Sequence, residues 1–384
     1  MISMLTARTS EIDDFDEAIS DIKSQIDFSS LKKYSGGVLF CQIEFVESGL
    51  IEAICDELPF DVIGMTTMAS ASNDGYGRYD LTLTVLTSDE VTFTADMSKC
   101  ISKDNYADEV DKLYRDIRGS VNEDPALILT FAPYLRDVSG YELVEEMDKA
   151  CGGLPMWGSI TNDNDFDYED AQTICNGRHL PNGVAMMFLT GPVDPKFVVT
   201  SIPERNITGN RSIITKSDGA TLIEINDKPV LEYMSDIGLV VTNETITTTP
   251  FMIYYDNSDD YVVLGFFTLF EDGSILTGGK VPEGTPISIG VIDEEGIFDS
   301  AKQGLDKILA HQNRQGTLLL PCVTRYIMLA PNQEGELELI TKTLEESGLP
   351  FIMGYSGGEI CPMPGPDGKL HNRYHNYTFC ACIL

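Results

Sequence analysis

Apolar positions along the chain recur in one arrangement three times. Each copy opens with a continuous apolar run typical of a buried strand and continues with apolar residues at helical spacing. A Leu-Pro pair and a second short apolar run, which stops near a glycine, complete each copy. The copies begin near residues 36, 125 and 316, and their pairs are Leu58-Pro59, Leu154-Pro155 and Leu349-Pro350. The recurrence predicts a repeated strand–helix–strand unit and an α/β (α+β) fold of mixed sheets covered by helices.

The ends of the helical segment are best marked in the second copy. Ser139 and Glu142 have the spacing of a capping box, in which each residue satisfies a free amide of the other. Gly152 suits the end of that helix, and Gly348 has the same place in the third copy.

Period-two alternation after the first two copies predicts hairpins. One covers residues 78–97 around a Ser88-Asp89 turn, and the other covers residues 173–202 with Asn-Gly pairs at 176 and 182. Residues 250–279 are typical of a meander, with turns at Asn257–Asp260 and Asp272-Gly273. Whether residues 230–315 form a diverged fourth copy stays open.

The domain organisation is predicted from the length and from changes in pattern. A chain of 384 residues favours two domains packed together. Residues 1–35 are acidic with an amphipathic patch around Phe15 and Ile22, and are expected to form a docked helix or a partly ordered arm. We then expect one domain over residues 36–220 and another over 221–384, with the boundary between about residues 206 and 232.

The charge and the hydropathy of the chain restrict its function. Its net charge of −35 repels nucleic-acid phosphates and anionic lipid, so binding to either is disfavoured. Solubility or a salty cytoplasm accounts for this charge, and a basic protein partner is the alternative. No apolar run approaches the roughly 20 residues that span a bilayer, and the N-terminus lacks a secretory core. We therefore expect a cytoplasmic protein.

Cofactor and metal signatures are missing from the sequence. Nine cysteines without a CxxC pair argue against a disulfide framework and against a structural zinc site. His371 and His375 are four residues apart, but they precede a strand, so a helical metal pair is not expected. No GxxxxGK[ST] occurs, and the Ser-Gly-Gly at 356–358 is too short for a dinucleotide fingerprint. No cofactor is predicted.

Polar residues lie where the strands of the third copy end, which is where α/β sheets place ligand sites. Arg325 presents a planar fork that suits a carboxylate, and Glu359 in a glycine-rich turn suits an ammonium group. His375 and Asn376 add neutral hydrogen-bonding groups. One cation, one anion and neutral donors match a free amino acid, so we predict an amino-acid-like ligand at this site.

The other two copies offer matching positions at their own strand ends. They are Gly64, Thr66 and Thr67 in the first copy, and Trp157, Gly158, Ser159 and Thr161 in the second. Trp157 is either a pocket wall or core filler, and large aromatic residues are most often buried. Thr66 and Thr161 are either ligand contacts or turn and cap residues.

An enzymatic alternative uses the same end of the chain. Cys322 at a strand end near Arg325 has the setting of a thiol with a lowered pKa, and His371 or His375 would serve as its base. The alternative is therefore a cysteine-dependent hydrolase or transferase that uses Cys322 and His375. The competing structural interpretation is a packed thiol with Arg325 in a surface ion pair.

Taken in order, the motifs resemble those of the FIST sensory family, as an N-type and a C-type domain in tandem. The N-terminal part of the likeness lies in VIGMTTMAS, LPMWGSITND, PNGVAMMFLTGP and IEINDKPVLEYM. The C-terminal part lies in VPEGTPISIG, PCVTRY, GYSGGEICP and HNYT. The likeness covers nearly the whole chain from about Gly36.

The resemblance implies a sensory module of signal transduction that binds small molecules such as amino acids. It places the family's Cys-x-x-Arg, Gly-Glu and His-Asn elements on Cys322, Arg325, Gly358, Glu359, His375 and Asn376. The chain has Ser-Gly-Gly where an aromatic residue is common before Gly-Glu, directly after Tyr355, which we include in the site. Since no kinase, cyclase or chemoreceptor segment is present, we expect the signal to pass to a partner protein of one of those types.

Overall fold

The fold consists of three copies of one unit and an antiparallel sheet inserted in the third copy. The computed structural model describes residues 1–164, 168–243, 245–255, 261–365 and 367–384. The predicted α/β class with mixed sheets is confirmed.

The first unit contains the first predicted copy. Its elements are β1 (Ser3–Thr9), α1 (Phe15–Gln25), β2 (Tyr34–Cys41), α2 (Ile43–Glu47), α3 (Leu50–Asp56), β3 (Val62–Thr66), β4 (Ser70–Ser72), β5 (Gly75–Gly77) and β6 (Leu81–Ser88). β2 and β3 are parallel, and β6 returns antiparallel between β2 and β1. The N-terminal residues therefore supply an edge strand that was not predicted. They also form a docked helix, whose Ala18 and Ile22 are buried.

The second unit repeats this order. Its elements are β7 (Thr92–Met97), α4 (Tyr106–Ser120), β8 (Leu127–Ala132), α5 (Gly140–Cys151), β9 (Met156–Ile160), β10 (Thr173–Cys175), β11 (Arg178–Leu180) and β12 (Ala185–Thr190). The capping box of Ser139 and Glu142 is confirmed, and Gly152 ends α5 in the left-handed conformation, where a side chain would be strained.

Two hairpin predictions need correction. β6 and β7 flank the Ser88-Asp89 turn but do not pair, because β6 joins β2 while β7 joins β12 in another sheet. Asn176-Gly177 does form the β10–β11 hairpin, with positive φ at both residues. The second Asn-Gly pair only connects β11 to β12, which pairs with β7 and β8. Alternation identified the strands but not their partners.

The inserted sheet follows β13 (Lys196–Thr200). Its elements are β14 (Ile207–Asp218), β15 (Thr221–Ile225), β16 (Lys228–Pro229), α6 (Val230–Asp236), β17 (Phe251–Ile253), β18 (Val262–Leu264), β19 (Phe266–Leu269), β20 (Ile275–Thr277) and β21 (Pro286–Gly290). Every strand pair described among them is antiparallel, so this block is not a fourth copy. The Asp272-Gly273 turn joins β19 and β20, whereas Asn257–Asp260 lies outside the described residues. The expected domain boundary at 220–221 falls inside the β14–β15 hairpin.

The third unit resumes after the inserted sheet. Its elements are α7 (Glu294–Ala310), β22 (Thr317–Pro321), α8 (Val323–Met328), α9 (Gly335–Ser347), β23 (Phe351–Gly354), β24 (Gly358–Pro364), β25 (Leu370–His375) and β26 (Phe379–Ile383). β22 and β23 are parallel, and β26 returns between β22 and β13. The three predicted strand–helix–strand copies therefore all form.

Each unit gives its hairpin to the sheet of another unit. The β10–β11 hairpin extends the first unit's sheet at β3, and the β24–β25 hairpin extends the second unit's sheet at β9. The β4–β5 hairpin extends the third unit's sheet at β23. The exchange is cyclic, so no unit completes its sheet alone.

The three sheets share one apolar cluster. It contains Phe40 from the first unit, Phe131 from the second and Leu320 from the third, and the rings of Phe40 and Phe131 meet edge to face at 5.6 Å. Gly64 and Gly158 lie in the middle of β3 and β9 and not at strand ends as expected. A Cβ there would lie 2.2 Å and 1.7 Å from carbonyl oxygens of the neighbouring parallel strands. Among the described residues, no helix has the length and apolar character that crossing a bilayer requires.

Candidate functional site

The carboxyl ends of the parallel strands from all three units meet in one polar region. Asn162 follows β9, and its Oδ1 accepts a 3.0 Å bond from the Met68 amide while its Nδ2 donates at 2.7 Å to the Tyr355 carbonyl. Thr67 Oγ1 donates to the same carbonyl at 2.8 Å. One asparagine thus connects the three units, at the kind of strand end where α/β folds bind ligands.

Glu359 lies on β24 at this meeting point and is fully buried. It stands opposite Ser159 on β9 and opposite His375 on β25. Its Oε2 accepts a 2.6 Å bond from Thr378 Oγ1 and a 3.3 Å bond from the Thr378 amide. Its Oε1 has no hydrogen-bond partner among the described residues. Oε2 is therefore fixed by Thr378, and Oε1 can still accept a hydrogen bond.

Burial decides the charge of Glu359. Desolvation raises the pKa of this carboxyl to about 8, although the neighbouring Thr378, Cys322 and Ser356 lower it in part. The group is therefore mostly protonated at pH 7. A cation placed beside it would favour the carboxylate form.

His375 is also fully buried, and its tautomer follows from its contacts. Nε2 lies 3.2 Å from the Cys361 carbonyl, which can only accept, so Nε2 carries the hydrogen. Nδ1 is then an acceptor, and it has no partner among the described residues. Burial lowers the pKa of His375 to about 4, so the ring is neutral at pH 7.

Two predicted residues of the second unit lie on the same face as this pair. Residues directly opposite on neighbouring strands share a face, and residues two apart on one strand do as well. Trp157 and Ser159 on β9, and Thr161 directly after it, therefore line up beside Glu359 and His375. Trp157 Nε1 and Thr161 Oγ1 are buried and unpartnered too. Among the described residues, ten buried side-chain polar atoms lack partners, and four of them lie on this one face.

Arg325 has a role different from the predicted one. It is fully buried, and its Nε and Nη2 donate to Glu336 Oε1 at 3.0 and 2.6 Å. Nη1 donates to Ser300 Oγ and to the Tyr377 carbonyl, and Nη2 also donates to the Ile297 carbonyl. Since a guanidinium has five donors, none remains for a ligand carboxylate. In the structure Arg325 joins α7, α8 and α9.

Tyr355 and Asn376 are likewise committed to the framework. The Tyr355 hydroxyl donates to Glu336 Oε2 at 3.2 Å. Asn376 accepts from the Gly265 amide at 3.1 Å and donates to the Tyr374 hydroxyl at 3.2 Å. Their hydrogen bonds are to other protein groups, so they support the structure around the site.

The glycine and threonine positions have structural reasons of their own. A Cβ on Gly358 would lie 2.4 Å from the Tyr374 ring, so only glycine lets that ring pack there. Thr66 Oγ1 accepts a 2.8 Å bond from the Gln172 amide. This bond helps to hold the β10–β11 hairpin against β3. Gly358 and Thr66 shape the surroundings of the site.

Cys322 does not have the setting of an activated nucleophile. Burial raises the pKa of its thiol well above the usual range, and the nearby Glu359 charge raises it further. His375 points Nε2 at a carbonyl, and the half-buried His371 pairs with Asp367 at 2.9 Å. Neither histidine forms a hydrogen bond with the thiol in the described part of the chain. Among the described residues, no group of three His, Cys, Asp or Glu side chains is placed to hold a metal ion.

Sequence reasoning missed three contributors to the site. Asn162, Ser356 and Thr378 fix the strand ends and the Glu359 carboxyl, and Ser356 Oγ lies 2.8 Å from Ser159 Oγ. Asn162 and Ser356 stand next to Thr161 and Tyr355, which the pattern had marked, and Thr378 lies two residues after Asn376. Their common signal is position just past a strand end.

Comparisons with known proteins identify a family. A model of the FIST N domain matches residues 36–228, and a model of the FIST C domain matches residues 231–362. No curated protein matches the chain. Among solved structures, T. maritima PurL complexed with ATP aligns at 8% identity over 100% of this chain and 71% of that chain. Its TM-score of 0.19 carries no argument about fold or function.

Proposed function

The chain belongs to the FIST family of signal-transduction sensory domains, and we propose that it senses a small amino-acid-like ligand. The ligand occupies the face shared by β9, β24 and β25. The observation that carries the proposal is the buried Glu359 carboxyl, whose Oε1 lacks a partner opposite the equally unpartnered Nδ1 of His375.

Unpartnered polar atoms are the reason for placing a ligand here. A buried polar atom without a hydrogen bond costs about 1–3 kcal/mol, so native structures rarely keep several together without a bound molecule. Glu359 receives the ligand's ammonium group, and His375 Nδ1 accepts one of its hydrogens. Trp157 Nε1 and Thr161 Oγ1 offer donors to its carboxylate, in place of Arg325.

The signal leaves through a partner protein of the kinase, cyclase or chemoreceptor type. Family membership supports this role, since FIST domains belong to signalling proteins. The site itself joins two units, because β24 belongs to the third unit and extends the second unit's sheet. A ligand that moves β24 therefore acts on both units, which gives a partner a change to detect.

The test is calorimetry and thermal shift with the free amino acids and related small acids. At least one compound is expected to raise the melting temperature, and Glu359→Gln is expected to abolish the shift. Glu338→Gln, on the exposed face of α9, is the matched control and should respond like wild type. A panel without any response, or an unchanged response in Glu359→Gln, would contradict the proposal.

A thiol-dependent hydrolase or transferase remains the rival to be tested. An electrophilic thiol probe should label Cys100 first, because it is the exposed cysteine, and Cys322 much more slowly. Rapid labelling of Cys322 that slows in His375→Ala would favour the enzyme instead.

A further inference from the structure

The three sheets of the repeated units end in equivalent edge strands, and two of these edges are blocked. β1, β7 and β13 lie at the outer ends of their sheets, beside β6, β12 and β26. In β1 the side-chain amide of Gln25 accepts from the Arg8 amide at 2.9 Å and donates to the Arg8 carbonyl at 2.7 Å. In β7 the Ala95 amide donates to Asp61 Oδ2 at 2.9 Å. These side chains occupy backbone groups that another chain would need for pairing.

The edge of β13 is open by comparison. The strand pairs with β26 on one side, and among the described residues no strand pairs with its other side. Outside this pairing, its described hydrogen bonds come from the side chains of Lys196 and Thr200, not from its backbone. Alternate residues of a strand direct their N–H and C=O groups to opposite sides, so β13 keeps a row of backbone groups available for another strand.

A groove of about 380 Å³ runs along this open edge. α7 packs on one face of β13, where Val198 shares an apolar cluster with Leu305 and Ile308. β24 lies on the other face, on which Phe197 and Val199 pack against the apolar cluster shared by the three sheets. Since residues of all three elements line the groove, it lies where the edge of β13 opens between the helix and β24. An extended peptide binds such a groove as an added strand, with main-chain bonds to the edge and side chains against the walls.

The lining of the groove is apolar with a positive margin. Pro362, Met363 and Pro364 of β24 form one wall, and Lys307 and His311 of α7 stand on the other. Lys307 is exposed, and none of the described residues that line the groove carries a carboxyl group. Charges more than about 8 Å away are largely screened at physiological ionic strength, so Lys307 decides the local charge despite the acidic chain. The groove therefore matches an extended segment with apolar side chains and a carboxylate.

We propose that this groove binds an extended segment of a partner protein, which pairs with β13 as an added strand and places an acidic side chain beside Lys307. This inference rests on the proposed signalling function and names the surface through which the partner binds. β24 connects the two sites, since it carries Glu359 near its start and lines the groove with residues 362–364 at its end. A second copy of this chain fits less well, because Lys196–Thr200 contains no carboxyl group to place beside Lys307.

The experiment selects displayed random peptides of about 12 residues on the wild-type chain, without any small ligand. The selected peptides are expected to alternate apolar residues and to contain Asp or Glu. Their binding should slow amide hydrogen exchange at residues 196–200, measured by mass spectrometry. In fluorescence anisotropy, Lys307→Glu should weaken binding on the order of tenfold. The matched control is Lys302→Glu, which is exposed on α7 outside the groove and should bind like wild type.

A second variant fills the groove. Ala310→Trp is expected to fold normally because Ala310 is exposed, and it should abolish peptide binding. Undiminished binding to this variant, or slowed exchange only outside β13, would overturn the proposal. A selection that yields no peptide, or only basic ones, would overturn it too. So would a dimer of the chain that Ala310→Trp separates in analytical ultracentrifugation, because the groove would then bind a second copy.

These outcomes are distinct from failure of the sensing function. That failure appears as an amino-acid panel without any response, and the peptide selection does not depend on the panel because no small ligand is present. Conversely, a panel that responds while no peptide is selected would leave sensing intact and remove this docking surface.

Discussion

Two buried polar clusters in the third unit differ in how completely their hydrogen bonds are made. Around Arg325 and Glu336, all five guanidinium donors have protein acceptors within one compact network. Around Glu359 and His375, one carboxyl oxygen and one ring nitrogen have none among the described residues. Both clusters are fully buried, so exposure does not distinguish them. The difference indicates that the first cluster holds the fold together and the second is open to a ligand.

The largest expected effect on stability comes from breaking the cluster around Arg325 and Glu336. Glu336→Ala leaves the Arg325 charge buried and unpaired, and should cost about 4 kcal/mol of unfolding free energy. Urea denaturation measures this loss. Asp111→Ala is the control, since it breaks an exposed ion pair with Arg115 at 2.7 Å, and should cost under about 0.5 kcal/mol. Similar costs for the two variants would remove the distinction between the clusters.

The contribution of the cluster around Glu359 and His375 to stability should instead depend on pH. The folded pKa of Glu359 is about 8, against an ordinary 4.5, so the folded state binds the proton more tightly than the unfolded state. Its contribution to stability is therefore complete below pH 4.5 and is lost as the pH rises through about 8. Glu359→Gln does not titrate, so its stability relative to wild type should rise by about 3 kcal/mol between pH 4 and pH 7. Parallel pH profiles for the two proteins would show that the burial of Glu359 leaves its pKa ordinary.

His375 should show the opposite sign. Its folded pKa is about 4, against an ordinary 6.5, so its protonation in the unfolded state removes stability as the pH falls below 6.5. Compared with His375→Gln, wild type should lose about 2 kcal/mol between pH 7 and pH 5. Urea denaturation at both pH values measures this. A constant difference between the proteins would argue against a buried neutral imidazole.

The smallest effect concerns single hydroxyl groups. Thr378→Val removes the 2.6 Å bond to Glu359 Oε2 and should cost about 1 kcal/mol. Thr341→Val is the matched control, because the buried Thr341 Oγ1 has no partner among the described residues. The control should be neutral or slightly stabilising. A control that costs as much as Thr378→Val would mean that the partner does not matter.

The comparison also explains which parts of the molecule the sequence could predict. Strand–helix–strand copies follow from local spacing, and the capping box at Ser139 depends on neighbours three residues apart. The exchange of hairpins depends on contacts such as those of β24 with β9, which lie far apart in the chain. Alternation in a strand indicates one buried face but does not identify the neighbouring strand.

The site shows the same limit at the level of single residues. In sequence, Arg325 and Glu359 are both charged residues beyond strand ends. Only packing shows that Arg325 faces Glu336 on the following helix while Glu359 Oε1 faces no partner among the described residues. Trp157 and Thr161 also became interpretable through neighbours on β24 and β25.

The cyclic exchange of hairpins has a consequence for synthesis on the ribosome. When the second unit has emerged, β9 still lacks the β24 neighbour, and the β4–β5 hairpin still lacks β23. Both edges stay open until residues 351–375 have left the exit tunnel. Unpaired strand edges recruit other chains, so nascent chains that stall in this interval are expected to aggregate or to require a chaperone.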